Sequence, residues 1–158
     1  EPRYFGGLHG GHVSFETGDT IFSFHHTDPV HVFAHKENRH SHIEILPLNR
    51  WMADTPEKKY ITFLIPVTQQ QWLLFHHIKS EYTRQTPYDY AFFGMRCASS
   101  AYDILSQLGI VKTRTRLGMI LFNFYPKALR KKMMHLAQHH HYRYIAHPGD
   151  PKRTWEHR

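Results

Sequence analysis

The feature that most constrains the fold is a hairpin signature near the start of the chain, where two β-rich runs flank Gly18-Asp19 in HVSFETGDTIFSFHH. Glycine and aspartate tolerate the positive φ angles of a tight two-residue turn, so the two runs are expected to pair antiparallel. With these turn residues, the residue numbers of each facing pair sum to 37, so His12 lies directly opposite His25. The predicted strands span 11–16 and 20–25.

Two further strand patterns follow. The segment HIEIL alternates between apolar and other residues over 42–46 and stops at Pro47, which cannot donate to a strand ladder. The segment YITFLIPV over 60–67 is almost continuously apolar, which is typical of a buried strand. A sheet of several strands is therefore expected.

The hydrophobic period then changes to that of helices. Thr68 and Gln71 form a capping box, and Trp72 and Phe75 begin an apolar face that we expect to pack in the core. We predict an α+β fold in which an antiparallel sheet packs against helices. Later helical patterns cover 97–108 and 126–138.

Composition limits the class of protein. The chain has 158 residues, of which 41% are hydrophobic and 21% charged, so we expect one folded domain over 1–158. Its apolar runs are all shorter than the roughly 18 residues needed to cross a bilayer. The net charge of +7 favours contact with an anionic surface, or is ordinary solubility charge. No nucleic-acid-binding motif accompanies the basic residues, and no nucleic-acid partner is expected.

The chain contains a single cysteine, Cys97, which excludes an intrachain disulfide. Cys97 stands at the start of a predicted helix, where the helix dipole favours the thiolate form. A lone cysteine beside Ala101 and Leu105 is also compatible with a small buried hydrophobe. The residues alone leave both interpretations open.

Three segments resemble the permuted branch of the NlpC/P60 superfamily. Members of this branch are papain-like cysteine hydrolases in which the strand with the catalytic histidine precedes the helix with the cysteine. The segments are GHVSFETGDTIFSF, HIEILPLNRW and PYDYAFFGMRCASSAYDILSQLG. The resemblance covers about 10–109, and it implies a circularly permuted papain-like fold. The remaining part, 110–158, adds a C-terminal helix and a tail with no recognised pattern.

This resemblance implies a catalytic triad. Cys97 becomes the nucleophile and His12 the general base, with a third polar residue orienting the imidazole. His25 is expected in that role because it faces His12 in the predicted register. His26 takes its place if the turn is one residue longer, and Glu44 on the third strand is the next alternative.

The resemblance also implies how substrate is held. The backbone N–H of Cys97 would donate to the oxyanion, and Tyr88 or Tyr90 could donate a second hydrogen bond. Arg96 precedes the cysteine where relatives often have Asn or Tyr, and it is a candidate substrate-binding residue. With a thiolate stabilised by the helix and by imidazolium, the pKa of Cys97 is expected in the range of roughly 3.5 to 7.5.

The implied reaction is hydrolysis of an amide bond, with peptidoglycan peptides as the first choice of substrate and no cofactor. Hydrolysis or transfer of a lipid acyl group on the same fold is the alternative. A wall substrate favours a periplasmic or secreted location over a cytoplasmic one, and the start at Glu1 without Met is consistent with an excised or processed form.

The chain has 16 histidines, which suggests a metal site or a non-enzymatic wall-binding module as competing interpretations. Neither cluster contains an HExxH motif or a second cysteine, so we expect solvated surface histidines and no metal. The clustered residues are His31, His35, His40 and His42, and then His135 and His139 to His141.

Overall fold

The computed structural model describes residues 11–27, 31–53 and 59–149. Within these residues the chain has an α+β fold of small sheets and helices, as predicted. The strands are β1 (Ser14–Thr17), β2 (Thr20–His26), β3 (His31–Phe33), β4 (Ser41–Pro47), β5 (Tyr60–Leu64), β6 (Ala91–Phe93) and β7 (Arg143–His147). The helices are α1 (Leu48–Ala53), α2 (Gln69–Arg84), α3 (Cys97–Gln107), α4 (Arg116–Phe122) and α5 (Pro126–His140).

The principal sheet is antiparallel, with strand order β1-β2-β4. Ser14 pairs with Ser23 and Thr17 with Thr20, so facing positions sum to 37 and the predicted hairpin register is confirmed. Gly18 takes a φ of 63° in the turn, a conformation that side chains with a Cβ adopt at a cost. The hairpin therefore follows from local turn chemistry.

Two smaller strand pairs complete the fold. β3 and β6 pair in parallel, and β5 and β7 pair antiparallel. Strands β3, β6 and β7 were not predicted, because two of them have only three residues and β7 lies in a polar, histidine-rich stretch. β5 is half-buried and not fully buried as expected, because it pairs with β7 alone in a separate two-stranded sheet.

Helix α2 begins as the sequence predicts, with a capping box in which the Gln71 N–H donates to the Thr68 hydroxyl and the Thr68 N–H donates to the Gln71 side chain. Phe75 and Ile78 are buried as expected. Trp72 was expected in the core but is 43% exposed, because it lies one turn before the part of the helix that meets the sheet.

Helix α3 is the most buried helix. It opens with the small residues CASSA, which allow its first turns to lie close against the sheet. The helix ends as predicted, because Gly109 has a φ of 70° and its N–H donates to the Ser106 carbonyl. The Ile110 N–H closes the same turn on the Leu105 carbonyl.

The core forms around β2 and α3. Phe22 and Phe24 on β2 pack with Phe75 and Ile78 of α2 and with Ile104 of α3. A second group joins the other side of α3 to the C-terminal helices, and consists of Ala98, Ala101, Tyr102, Leu105, Val111, Met119, Leu129 and Met133. The start of α3 is thereby held between the hairpin and the C-terminal helices.

Candidate active site at Cys97 and the histidine hairpin

The imidazole rings of His12 and His25 stack across the hairpin, with centroids 4.6 Å apart and planes inclined by 30°. Both rings also contact Ser23. Its Oγ lies 3.0 Å from Nε2 of His12 and 2.8 Å from Nε2 of His25. A hydroxyl can donate once and accept twice, so Ser23 can donate to one ring and accept from the other.

Ser23 is a residue that the sequence analysis missed. It lies two positions before His25 on β2, and residues two apart on a strand share a face. That spacing was the available signal, but a serine between two phenylalanines carries no chemistry until its neighbours are known. The structure therefore inserts a hydroxyl between the two histidines expected to form a base and its orienting residue.

Glu44, the second alternative for the orienting role, lies on β4 directly opposite Ser23. Its Oε2 is 3.3 Å from Nε2 of His25. Burial and the neighbouring His12 lower the pKa of His25 to about 4, against the opposing effect of Glu44. The His25 ring is therefore uncharged at neutral pH, so its contact with Glu44 is not an ion pair there.

His26, the alternative for a longer turn, lies on the other face of β2, because adjacent residues of a strand alternate. Its ring is 5.3 Å from the ring of Tyr90, which also packs 5.0 Å from Phe24. The turn has the length that places His25, and not His26, opposite His12. His26 instead belongs to the neighbourhood of Tyr90.

Cys97 is the first residue of α3 and is 4% exposed. The backbone N–H groups of Val13 and Ala98 and the Tyr90 hydroxyl lie near its sulfur, where they favour the thiolate. Val13 directly follows His12 and lines the same cavity as Cys97, so the sulfur lies near the chain segment that carries the proposed base. A direct contact between Cys97 and the His12 ring stays a prediction.

The expected low pKa of Cys97 is wrong for this structure. Burial raises the pKa of the thiol above its usual value, and the nearby Val13 N–H and the charge of Arg96 only partly oppose that effect. Next to the sulfur lies a cavity of about 10 Å³ lined mainly by apolar side chains such as Phe22 and Phe24. That volume holds no more than a water molecule, so substrate cannot enter from this side.

Tyr90 lies where a second oxyanion donor was expected. Its oxygen lies near the Cys97 backbone N–H and the Arg96 side chain, while burial and the nearby Cys97 raise its pKa. Its hydroxyl proton is therefore retained and available to donate. Tyr88 has a different position, because it is 5% exposed and its hydroxyl lies 2.8 Å from Ser100 Oγ inside the core.

Arg96 is 7% exposed and packs its guanidinium group on aromatic rings. The group lies 4.6 Å from the centroid of Phe124 and 5.8 Å from that of Tyr125. Such cation–π contacts hold the guanidinium in place. Arg96 thus connects the start of α3 to the aromatic surface formed by α4 and the start of α5.

That surface contains an apolar groove of about 370 Å³. Phe93 is 56% exposed, Leu121 65% and Phe122 62%, which are high values for side chains of this size. We call this feature the aromatic groove. It is lined by Phe93, Ile120, Leu121, Phe122, Phe124, Tyr125 and Ala128.

The histidines of the first cluster converge in space. The ligand atoms of His31, His35 and His40 all lie within 4.8 Å of one another, whereas His42 stands beside His25 with ring centroids 6.0 Å apart. In the second cluster, His135 and His139 stack along α5 with centroids 6.4 Å apart. Among the described residues, only the first three histidines form a group that could hold a metal ion.

No helix within 11–27, 31–53 and 59–149 has both the length and the apolar character needed to span a membrane. Comparison with protein-family models, with curated proteins and with solved structures gave no match.

Proposed function

We propose that this protein is a cysteine hydrolase with a circularly permuted papain-like fold, in which Cys97 is the nucleophile and His12 the general base. The observation that carries the proposal is that Val13, the residue directly after His12, lines the same small cavity as Cys97. This proximity brings the histidine-bearing segment to the start of the cysteine helix, although the two are far apart in sequence. Such proximity of nucleophile and base elements is what thiol catalysis needs.

The chemistry differs from that of a preformed thiolate–imidazolium pair. Because burial raises the pKa of Cys97, the thiol is protonated at neutral pH, and the base must remove the proton as the sulfur attacks the carbonyl carbon. With Nε2 of His12 directed at Ser23, Nδ1 is the nitrogen that would accept this proton. The proton then passes to the leaving group, and water hydrolyses the resulting thioester.

The oxyanion would bind at the start of α3. The Cys97 N–H lies near the Tyr90 oxygen and would donate to a substrate oxygen that enters between them. The Tyr90 hydroxyl could then donate to the same oxygen. His25, with Ser23 and Glu44, would orient the His12 ring without contacting substrate.

Two substrate classes are compatible with this chemistry. An amide bond in peptidoglycan peptides is the class implied by the family resemblance, and the net charge of +7 favours contact with an anionic wall. The aromatic groove favours the second class, a lipid acyl group, because its exposed apolar lining suits a hydrocarbon chain. Arg96 connects this groove to Cys97.

The test is hydrolysis by the purified protein of a defined wall peptide and of a series of acyl esters of increasing chain length, followed by mass spectrometry. Cys97→Ser should lower the rate on the true substrate at least about 1,000-fold while preserving the fold. A Cys97→Ser protein that keeps its activity would place the chemistry elsewhere.

The groove is tested separately with matched charged variants. Leu121→Glu should abolish any preference for long acyl chains, whereas Leu73→Glu, equally exposed on α2, should not. If the wall peptide is cleaved and both variants behave alike, the peptide is the substrate class.

A further inference from the structure

Strand β3 begins with His31, and the loop between β3 and β4 contains His35 and His40; the rings of these three residues meet at close range. The ring centroids of His31 and His40 are 3.7 Å apart, and His35 lies 5.0 Å and 5.5 Å from these two rings. Each side chain offers one nitrogen within 4.8 Å of the other two.

One nitrogen of the group points to a missing ligand. Nε2 of His31 is buried and has no hydrogen-bond partner among the described residues. Buried polar atoms normally have a partner, since leaving one unsatisfied costs about 1–3 kcal/mol. A cation bound between the rings would supply that partner.

We infer that His31, His35 and His40 form a binding site for a late first-row divalent cation such as Zn²⁺. Imidazole nitrogen is a usual ligand for zinc, copper and nickel, whereas Ca²⁺ and Mg²⁺ require oxygen ligands. Zinc–nitrogen bonds of about 2.0–2.1 Å place tetrahedral ligands about 3.3 Å apart, so modest side-chain rotations would close the site. Three protein ligands leave a fourth position for water.

The backbone of each proposed ligand is anchored by contacts outside the histidine group. His31 pairs with Ala91 in the parallel β3–β6 ladder. The backbone N–H groups of His35 and His40 donate to the two carboxylate oxygens of Asp89, at 2.9 Å each. The His40 carbonyl accepts from the Thr27 N–H at 2.7 Å. These anchors limit the ordering that cation binding would require.

Asp89 also supplies the charge that a cation site needs. Its side chain is 2% exposed and accepts a third backbone hydrogen bond from Arg39. The carboxylate places a negative charge near the histidines while its oxygens remain engaged with the backbone. We therefore assign Asp89 to holding the loop and not to ligating the ion.

The test is titration of the metal-free full chain with Zn²⁺ alone, followed by calorimetry and by ¹⁵N chemical shifts of the histidine rings. One site is expected, with shifts confined to His31, His35 and His40. Addition of excess Ca²⁺ should not displace the ion. His35→Ala, at an exposed position, should weaken binding more than about 100-fold without unfolding the protein.

The matched control is the double variant His135→Ala/His139→Ala on α5, which removes two exposed histidines at the i,i+4 spacing. It should leave the high-affinity site intact. If His35→Ala binds Zn²⁺ as the unchanged protein does, or if the α5 variant loses the site instead, the inference is wrong. This outcome is independent of hydrolase activity, because the site shares no residue with Cys97 and His12.

Discussion

Nε2 of His12, the proposed catalytic base, lies 3.0 Å from the hydroxyl oxygen of Ser23, within hydrogen-bond distance. The same oxygen lies 2.8 Å from Nε2 of His25. The rings of His12 and His25 are therefore linked in two ways: they stack on each other, and both contact the Ser23 hydroxyl. Orientation of the His12 ring depends on a residue whose role only the structure reveals.

Ser23→Ala should lower kcat about 10- to 100-fold with a smaller change in KM, because a misdirected base loses alignment with the thiol. Loss of the hydroxyl should reduce the free energy of unfolding by about 1 kcal/mol. The control is Ser14→Ala, at the position facing Ser23 on β1. Equal effects of both variants on kcat would contradict a positioning role for Ser23.

Cys97 should react slowly with iodoacetamide at neutral pH, because burial excludes the reagent and raises the pKa of the thiol. The rate should increase only when the pH exceeds the ordinary thiol pKa of about 8.5. Labelling is unambiguous because the chain has one cysteine, and the urea-unfolded chain provides the reference rate. Rapid labelling of the folded protein at pH 7 would show that the thiol is exposed and ionised in solution.

Acid should destabilise the protein through His25. Its pKa is about 4 in the folded state and 6.5 in the reference state, so between these values the unfolded chain binds the additional proton. Stability is therefore retained above pH 6.5 and decreases as the pH falls toward 4, by on the order of 2 kcal/mol for a partly exposed group. His25→Gln should reduce this loss in unfolding experiments across that range.

The control for that experiment is His139→Gln, which changes an exposed histidine at the end of α5. It should leave the pH dependence of unfolding as it is in the unchanged protein. An identical pH dependence in His25→Gln would exclude His25 as the titrating group.

Asp89→Asn should loosen the loop between β3 and β4, which contains His35 and His40. Burial alone would raise the pKa of Asp89, but backbone hydrogen bonds from His35, Arg39 and His40 lower it. These bonds stabilise the carboxylate, and their contribution is lost as the pH falls below about 4. We expect the substitution to cost about 2 kcal/mol at pH 7 and to accelerate amide hydrogen exchange at these three positions.

Glu37→Gln is the matched control, since it removes one negative charge too, but from an exposed position within the loop itself. It should change neither stability nor hydrogen exchange. Comparable exchange in the two variants would mean that Asp89 does not hold the loop.

The sequence alone determined the features that depend on neighbouring residues. The turn at Gly18 set the hairpin register and placed His12 opposite His25, because turn geometry and side-chain alternation are local. The capping box at Thr68 and the glycine at Gly109 marked helix ends for the same reason. The α+β class followed from the strand and helix periodicities of the apolar residues.

Only the tertiary structure decided the chemical environment of the site residues. Burial of Cys97 by the hairpin and α3 reversed the expected direction of its pKa shift, because desolvation depends on every element packed around the sulfur. Likewise, Asp89 meets His35 and His40 across about 50 residues of intervening sequence. Spacing along the chain carries no information about such contacts, since folding of the whole chain brings the groups together.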